Sequence, residues 1–100
     1  MQHSTTSIKL KAATLEKIDE DYFFVVEVAS RNISKISKNI SGEVLHRYLT
    51  EWENALSNKD VLKSIVSDNT ELGFDMWQIN PFTGIFTPKE RWDILRRECS

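Results

Sequence analysis

This chain is poor in the residues that carry covalent, metal or phosphate chemistry. It has a single cysteine, Cys99, so no disulfide can close within it and a cysteine-based metal site is excluded within one chain. Cys99 reads as a passive thiol near the terminus. With three glycines in 100 residues, a glycine-rich phosphate cradle has no raw material. No apolar run reaches the roughly 20 residues of a membrane span. The polar start (Gln2, His3, Ser4, Thr5, Thr6) does not resemble a secretion signal, so the expected setting is cytoplasmic. The triplets Asn32-Ile33-Ser34 and Asn39-Ile40-Ser41 then carry no weight as glycosylation sites.

What is present fits one small folded domain over residues 1–100. Hydrophobic residues make up 40% and charged residues 28%, which is the balance of a chain that folds and buries a modest core. The net charge of -2 argues against indiscriminate nucleic-acid binding, which needs clustered Lys and Arg.

The strongest pattern is a stripe at helical spacing: Ile8, Lys11, Leu15, Ile18, Tyr22, Val25, Ala29, Ile33, Ile36, Ile40. Only Lys11 breaks it. Side chains three or four apart share one face of a helix, so a helix is expected over about 5–40. Ser30, Ser34, Ser37 and Ser41 form a small-residue stripe beside it, where a neighbouring helix could approach. A rival reading exists. Residues 22–28 are rich in strand formers, and Asp19-Glu20-Asp21 could tip a hairpin spanning 8–29. Length supports the rival, because 36 helical residues would span about 54 Å and a domain of this size has a radius of gyration near 13 Å. The helix is preferred because the stripe runs unbroken through both halves.

Ser41-Gly42 ends that segment, glycine supplying a left-handed turn. A second helix is expected over 42–56, with Val44, Leu45, Tyr48, Leu49, Trp52, Ala55 and Leu56 inward. Ser57-Asn58-Lys59-Asp60 is the start of a third, carrying Val61, Leu62, Ile65 and Val66 and ending near Asp68-Asn69-Thr70 and Gly73. Residues 74–86 contain Asn80-Pro81-Phe82-Thr83-Gly84, strong turn chemistry, and are expected to form a ribbon or an ordered loop plugging the bundle. Thr87-Pro88-Lys89-Glu90 opens a last helix with a capping hydroxyl, a first-turn proline and a glutamate three beyond the cap. That helix is expected to run through Arg97. The fold class is therefore mainly α, with three or four helices and an insertion before the last. The alternative is α+β, with an N-terminal hairpin.

No catalytic set emerges. Nucleophilic catalysis needs a base beside the nucleophile, and the two histidines, His3 and His46, are poorly placed. Glu43-x-x-His46 has di-metal spacing, but such sites need two pairs and two further glutamates, and His46 lies opposite Tyr48 and Trp52. No metal and no cofactor is expected.

Two surfaces remain. With the stripe facing the core, Phe24 and Val28 point to the far side, with Leu10 in similar phase, and an exposed apolar patch marks a binding surface. The competing reading is a central helix covered on several sides by its own domain. Residues 16–28 carry net -4 (Glu16, Asp19, Glu20, Asp21 and Glu27 against Lys17), and residues 31–38 carry +3 (Arg31, Lys35, Lys38). Two such helices laid antiparallel would match charges in a homodimer. The expectation is a non-enzymatic protein-binding module: a small inhibitor of immunity or antitoxin type that blocks a basic toxin. The alternative is a nucleic-acid-associated regulator using Lys89, Arg91, Arg96 and Arg97 beside Trp92 and Trp77. Against it, Glu90 and Asp93 interrupt the cluster, Asp93 can pair with Arg97, and Trp92, Leu95 and Cys99 share a face that reads as packing.

Overall fold

A computed structural model describes residues 5–97, and His3 and Cys99 lie outside that range. Six helices follow one another among the described residues: α1 Thr5–Glu20, α2 Tyr22–Ser37, α3 Glu43–Ala55, α4 Lys59–Ser67, α5 Glu71–Trp77 and α6 Pro88–Leu95. The fold is mainly α, and no strand occurs among the described residues. The hairpin alternative over 8–29 is thereby overturned.

The long first helix is corrected to two helices of sixteen residues each. Asp21 leaves helical geometry (φ -152°, ψ 70°), and its carboxylate accepts from the Phe24 amide at 3.4 Å. Each half then spans about 24 Å, which fits a molecule measuring 37 × 34 × 25 Å. The stripe survives the break because Ile18 and Val25 on either side are both fully buried in the same core. α1 packs against α2, α4 and α6.

Local caps set the other boundaries. Asn58 accepts from the Asp60 and Val61 amides at 3.1 and 3.2 Å, opening α4. Thr87 and Glu90 form the reciprocal capping box of α6, and Gly84 takes φ +97° in the turn before it. Gly42, at φ +98°, is the residue before α3 rather than the end of α2. The last helix stops at Leu95, so Arg97 lies beyond it.

The segment after α4 holds a helix that the turn signals conceal. Asp68 caps the end of α4, and Thr70, two residues on, caps α5 by accepting from the Gly73 amide at 3.3 Å. Gly73 sits so tightly that an added Cβ would lie 2.0 Å from the Asp68 carbonyl oxygen. Between α5 and α6 the chain forms an ordered loop, not a ribbon. Pro81, Phe82 and Ile85 are buried. Asn32 holds the loop by donating to the Pro81 and Thr83 carbonyls at 2.9 and 2.7 Å. At the centre, Trp52 is fully buried, donates its indole N–H to the Met76 carbonyl at 3.0 Å and meets the edge of Phe82 at 5.3 Å. A buried indole nitrogen needs such a partner.

Three smaller expectations change. Val44 is exposed rather than inward. Ser30, Ser34, Ser37 and Ser41 are all exposed, so no helix approaches across them. Ile8, at the head of the stripe, is 42% exposed, whereas Lys11, its blemish, is 3% exposed.

Candidate interaction surface

Lys11 shows how far the interior has been closed. Its ammonium donates to the Asp68 carbonyl at the end of α4 and lies 4.1 Å from the centre of the Phe74 ring. A cation at a helix C-terminus and over an aromatic face gains from both partial negative charges. Burial lowers its pKa, and the nearby Asp68 charge partly opposes that shift. The Asp68 carboxylate is held below its ordinary value by the hydroxyl and amide of Thr70, at 2.6 and 2.9 Å. These groups are spent on structure. Lys9 likewise donates to the Leu95 carbonyl at the end of α6, at 2.9 Å.

The apolar patch expected at Phe24 and Val28 does not exist as a surface. Val28 is 6% exposed and faces the turn at Gly84. Phe24 is half-buried against the core, and the Lys17 ammonium sits 5.5 Å from its ring centre. Leu10 packs against the same core. The domain itself covers this side of the helix, through the loop before α6. The neighbouring residue carries the exposure instead: Phe23 is 84% exposed, its ring 5.7 Å from that of Tyr22. Tyr22 is anchored by donating its hydroxyl to the Leu56 carbonyl. The signal that could have found Phe23 is its place on the helix wheel of α2, on the side of Glu27, Ser30 and Ser34 and away from Val25, Ala29 and Ile33.

The acidic residues divide. Asp19 pairs with Lys63 at 2.9 Å and Lys59 at 3.5 Å, and these cations lower its pKa, the Lys63 hydrogen bond foremost. Glu16 pairs with Arg97 at 3.2 Å. Asp21 caps α2. Glu20 and Glu27 are exposed and make no ion pair among the described residues. Glu20 lines the groove between α1 and α6, so the acidity on the Phe23 side of α2 rests on Glu27.

On α6 the basic candidates Lys89, Arg91, Arg96 and Arg97 are all exposed, and so is Trp92, at 62%. The packing expected of Trp92 is carried by Ile94, which is buried. Arg97 turns to Glu16 rather than to Asp93. Trp77 lies in the core, 5.9 Å from Phe82, and reaches this side only as part of the wall of the cleft that Arg91 edges. Arg91 edges a cleft of about 230 Å³ between α1, the loop and α6, lined also by Leu10, Thr14, Asn80 and Phe86.

His46 is exposed, and no group of three or more His, Cys, Asp or Glu among the described residues could hold a metal ion. No helix among them is long and apolar enough to cross a membrane. No family model, curated protein or solved structure matches this chain.

Proposed function

We propose that this protein is a non-enzymatic protein-binding module, an inhibitor of the immunity or antitoxin kind, that docks a basic partner on Phe23 with Glu27 beside it. The observation that carries the reading is Phe23 itself, a large ring 84% exposed on a helix whose other aromatic neighbours are anchored. Aromatic side chains supply much of the area at the centre of protein interfaces, and their energy is realised when a partner excludes water from them. Tyr22 braces the ring and so lowers the entropy lost on docking. Glu27 lies one turn on from Phe23 along α2, which favours a cationic rim on the partner and speeds encounter with it.

The test compares retention of proteins from the native host on three immobilised forms: wild type, Phe23→Asp, and Val44→Asp as a control on an exposed site of α3. Circular dichroism verifies folding first. The reading expects a basic protein held by wild type and by Val44→Asp, lost by Phe23→Asp, and held more weakly by Glu27→Lys. Equal retention on all three forms overturns it. A homodimer seen by light scattering and dissociated by Phe23→Asp would also overturn it, by giving the surface to a second copy of the chain.

A further inference from the structure

We infer that the outer face of α6 binds single-stranded nucleic acid, with Trp92 as a stacking platform, Lys89 and Arg96 as phosphate contacts beside it and Arg91, at the edge of the face, as a third. At about 100° per residue, Lys89, Trp92 and Arg96 fall on the side of the helix opposite Ile94. That side is exposed along its length. The carboxylates that interrupt the cluster in sequence are turned elsewhere. Glu90 accepts from the Thr87 amide at 2.9 Å in the capping box. Glu90 and Asp93 line the groove against α1 with Glu16 and Lys17. Arg97, which lines the same groove, is matched by Glu16.

Charge is thus sorted around α6. The acidic side faces α1, while the outer side carries Lys89 and Arg96 around an indole, with Arg91 at the edge of the cleft beside Phe86. Lys89, Arg91 and Arg96 form no ion pair among the described residues. The chain's net charge of -2 averages over this separation, whereas a polyanion meets the local field. A flat indole flanked by cations matches a strand whose bases are free to stack and whose phosphates repeat along it. A duplex keeps its bases stacked inside and offers that indole nothing equivalent. The face is distinct from the one around Phe23, so the two readings fail separately.

The probe is a fluorescein-labelled oligothymidylate, titrated with the full chain and followed by anisotropy at several salt concentrations. Three phosphate contacts on a single strand give a slope of log affinity against log salt near -2. Trp92→Ala should weaken binding by roughly 5- to 150-fold, the fold-change of about 1–3 kcal/mol per stacked base, and Trp92→Phe should restore part of it. Lys89→Gln/Arg96→Gln should flatten the slope by about 1.4, two contacts at about 0.7 each. Phe23→Asp should leave binding unchanged. Trp52 and Trp77 are buried, so quenching of tryptophan emission by the oligonucleotide should vanish in Trp92→Phe.

Absence of binding at low salt overturns the inference. So does binding that Trp92→Ala leaves intact, which is a polyanion effect alone. Tighter binding to phosphatidylserine vesicles than to the oligonucleotide would assign the face to a membrane surface and overturn it equally.

Discussion

The chain interrupts helix twice at an aspartate, and the two breaks are built in opposite ways. At Asp21 the dihedrals leave helix but the hydrogen-bond pattern carries across: its amide still donates to the Lys17 carbonyl at 2.8 Å, and its carbonyl accepts from Val25 at 3.1 Å. The carboxylate makes one long bond, and the site is exposed. At Asp68 the carbonyl takes a buried ammonium from Lys11, 57 positions earlier, the carboxylate takes two bonds from Thr70, and Gly73 is pressed against the peptide. The first break is a local event that leaves Phe23 outside. The second is a tertiary knot that fastens α1 to the junction of α4 and α5. An aspartate at a helix boundary therefore says little about rigidity until its distant partners are known.

The difference between the breaks predicts a steep order of mutational effects. Gly73→Ala should be the most damaging, because its methyl would overlap the backbone of Asp68 and neither peptide can yield cheaply. A loss of about 3 kcal/mol or more is expected, read as a fall in Tm of roughly 12 °C or more. A shift under about 4 °C would show that the junction is loose. Asn32→Ala comes next. It strips donors from two carbonyls of the loop before α6 and should destabilise by about 2 kcal/mol. Hydrogen exchange should rise in residues 81–86 more than in α4. Asp21→Ala should have the smallest effect, about 0.5 kcal/mol at the low end for an N-cap. An effect rivalling that of Gly73→Ala would erase the contrast between the breaks.

The knot should also be visible in the pH dependence of stability. Lys11 has a lowered pKa in the folded state because burial disfavours its charge. The unfolded chain then holds the proton more tightly, so stability rises as pH climbs from the lowered folded value toward the ordinary lysine value near about 10.4. Lys11→Met should abolish that rise. Asp68 works at the other limb. Its folded pKa is depressed by Thr70, so its contribution is full above the ordinary aspartate value near about 3.9 and is lost as pH falls through the lower folded value. Asp68→Asn should flatten the acid limb. Urea melts across pH would check both. An unchanged alkaline limb in Lys11→Met would show that this ammonium is not the source of the rise.

Much of the secondary structure is legible from neighbours within four residues. The Thr87–Glu90 capping box, the Asn58 cap, the positive φ at Gly84 and the inward set Leu49, Trp52, Ala55 and Leu56 all follow from spacing and side-chain chemistry, and the structure has each of them. The break at Asp21 is not legible from the stripe, because a one-residue interruption leaves both halves facing one core. α5 is hidden because Asp68, Thr70 and Gly73 are ordinary stop signals, and here they end one helix and begin the next. The exposed aromatic of α2 lies one position from where the stripe puts it. Wheel geometry separates Phe23 from the core, but only the loop before α6 and the ammonium of Lys17 show that Val28 and Phe24 are covered.

The amino-acid order by itself determined that this chain is helical, where most of its helices begin and which face of each is apolar. Caps and periodicity act over one turn, so they are written in adjacent residues. Only the tertiary structure decided which apolar and charged groups stay outside. Lys11 enters the interior because Asp68 and Phe74 wait for it there. Glu16 and Asp19 are neutralised by Arg97, Lys59 and Lys63, while Phe23 and Trp92 are left to solvent. Burial and ion pairing join residues tens of positions apart, so no local pattern along the chain encodes them.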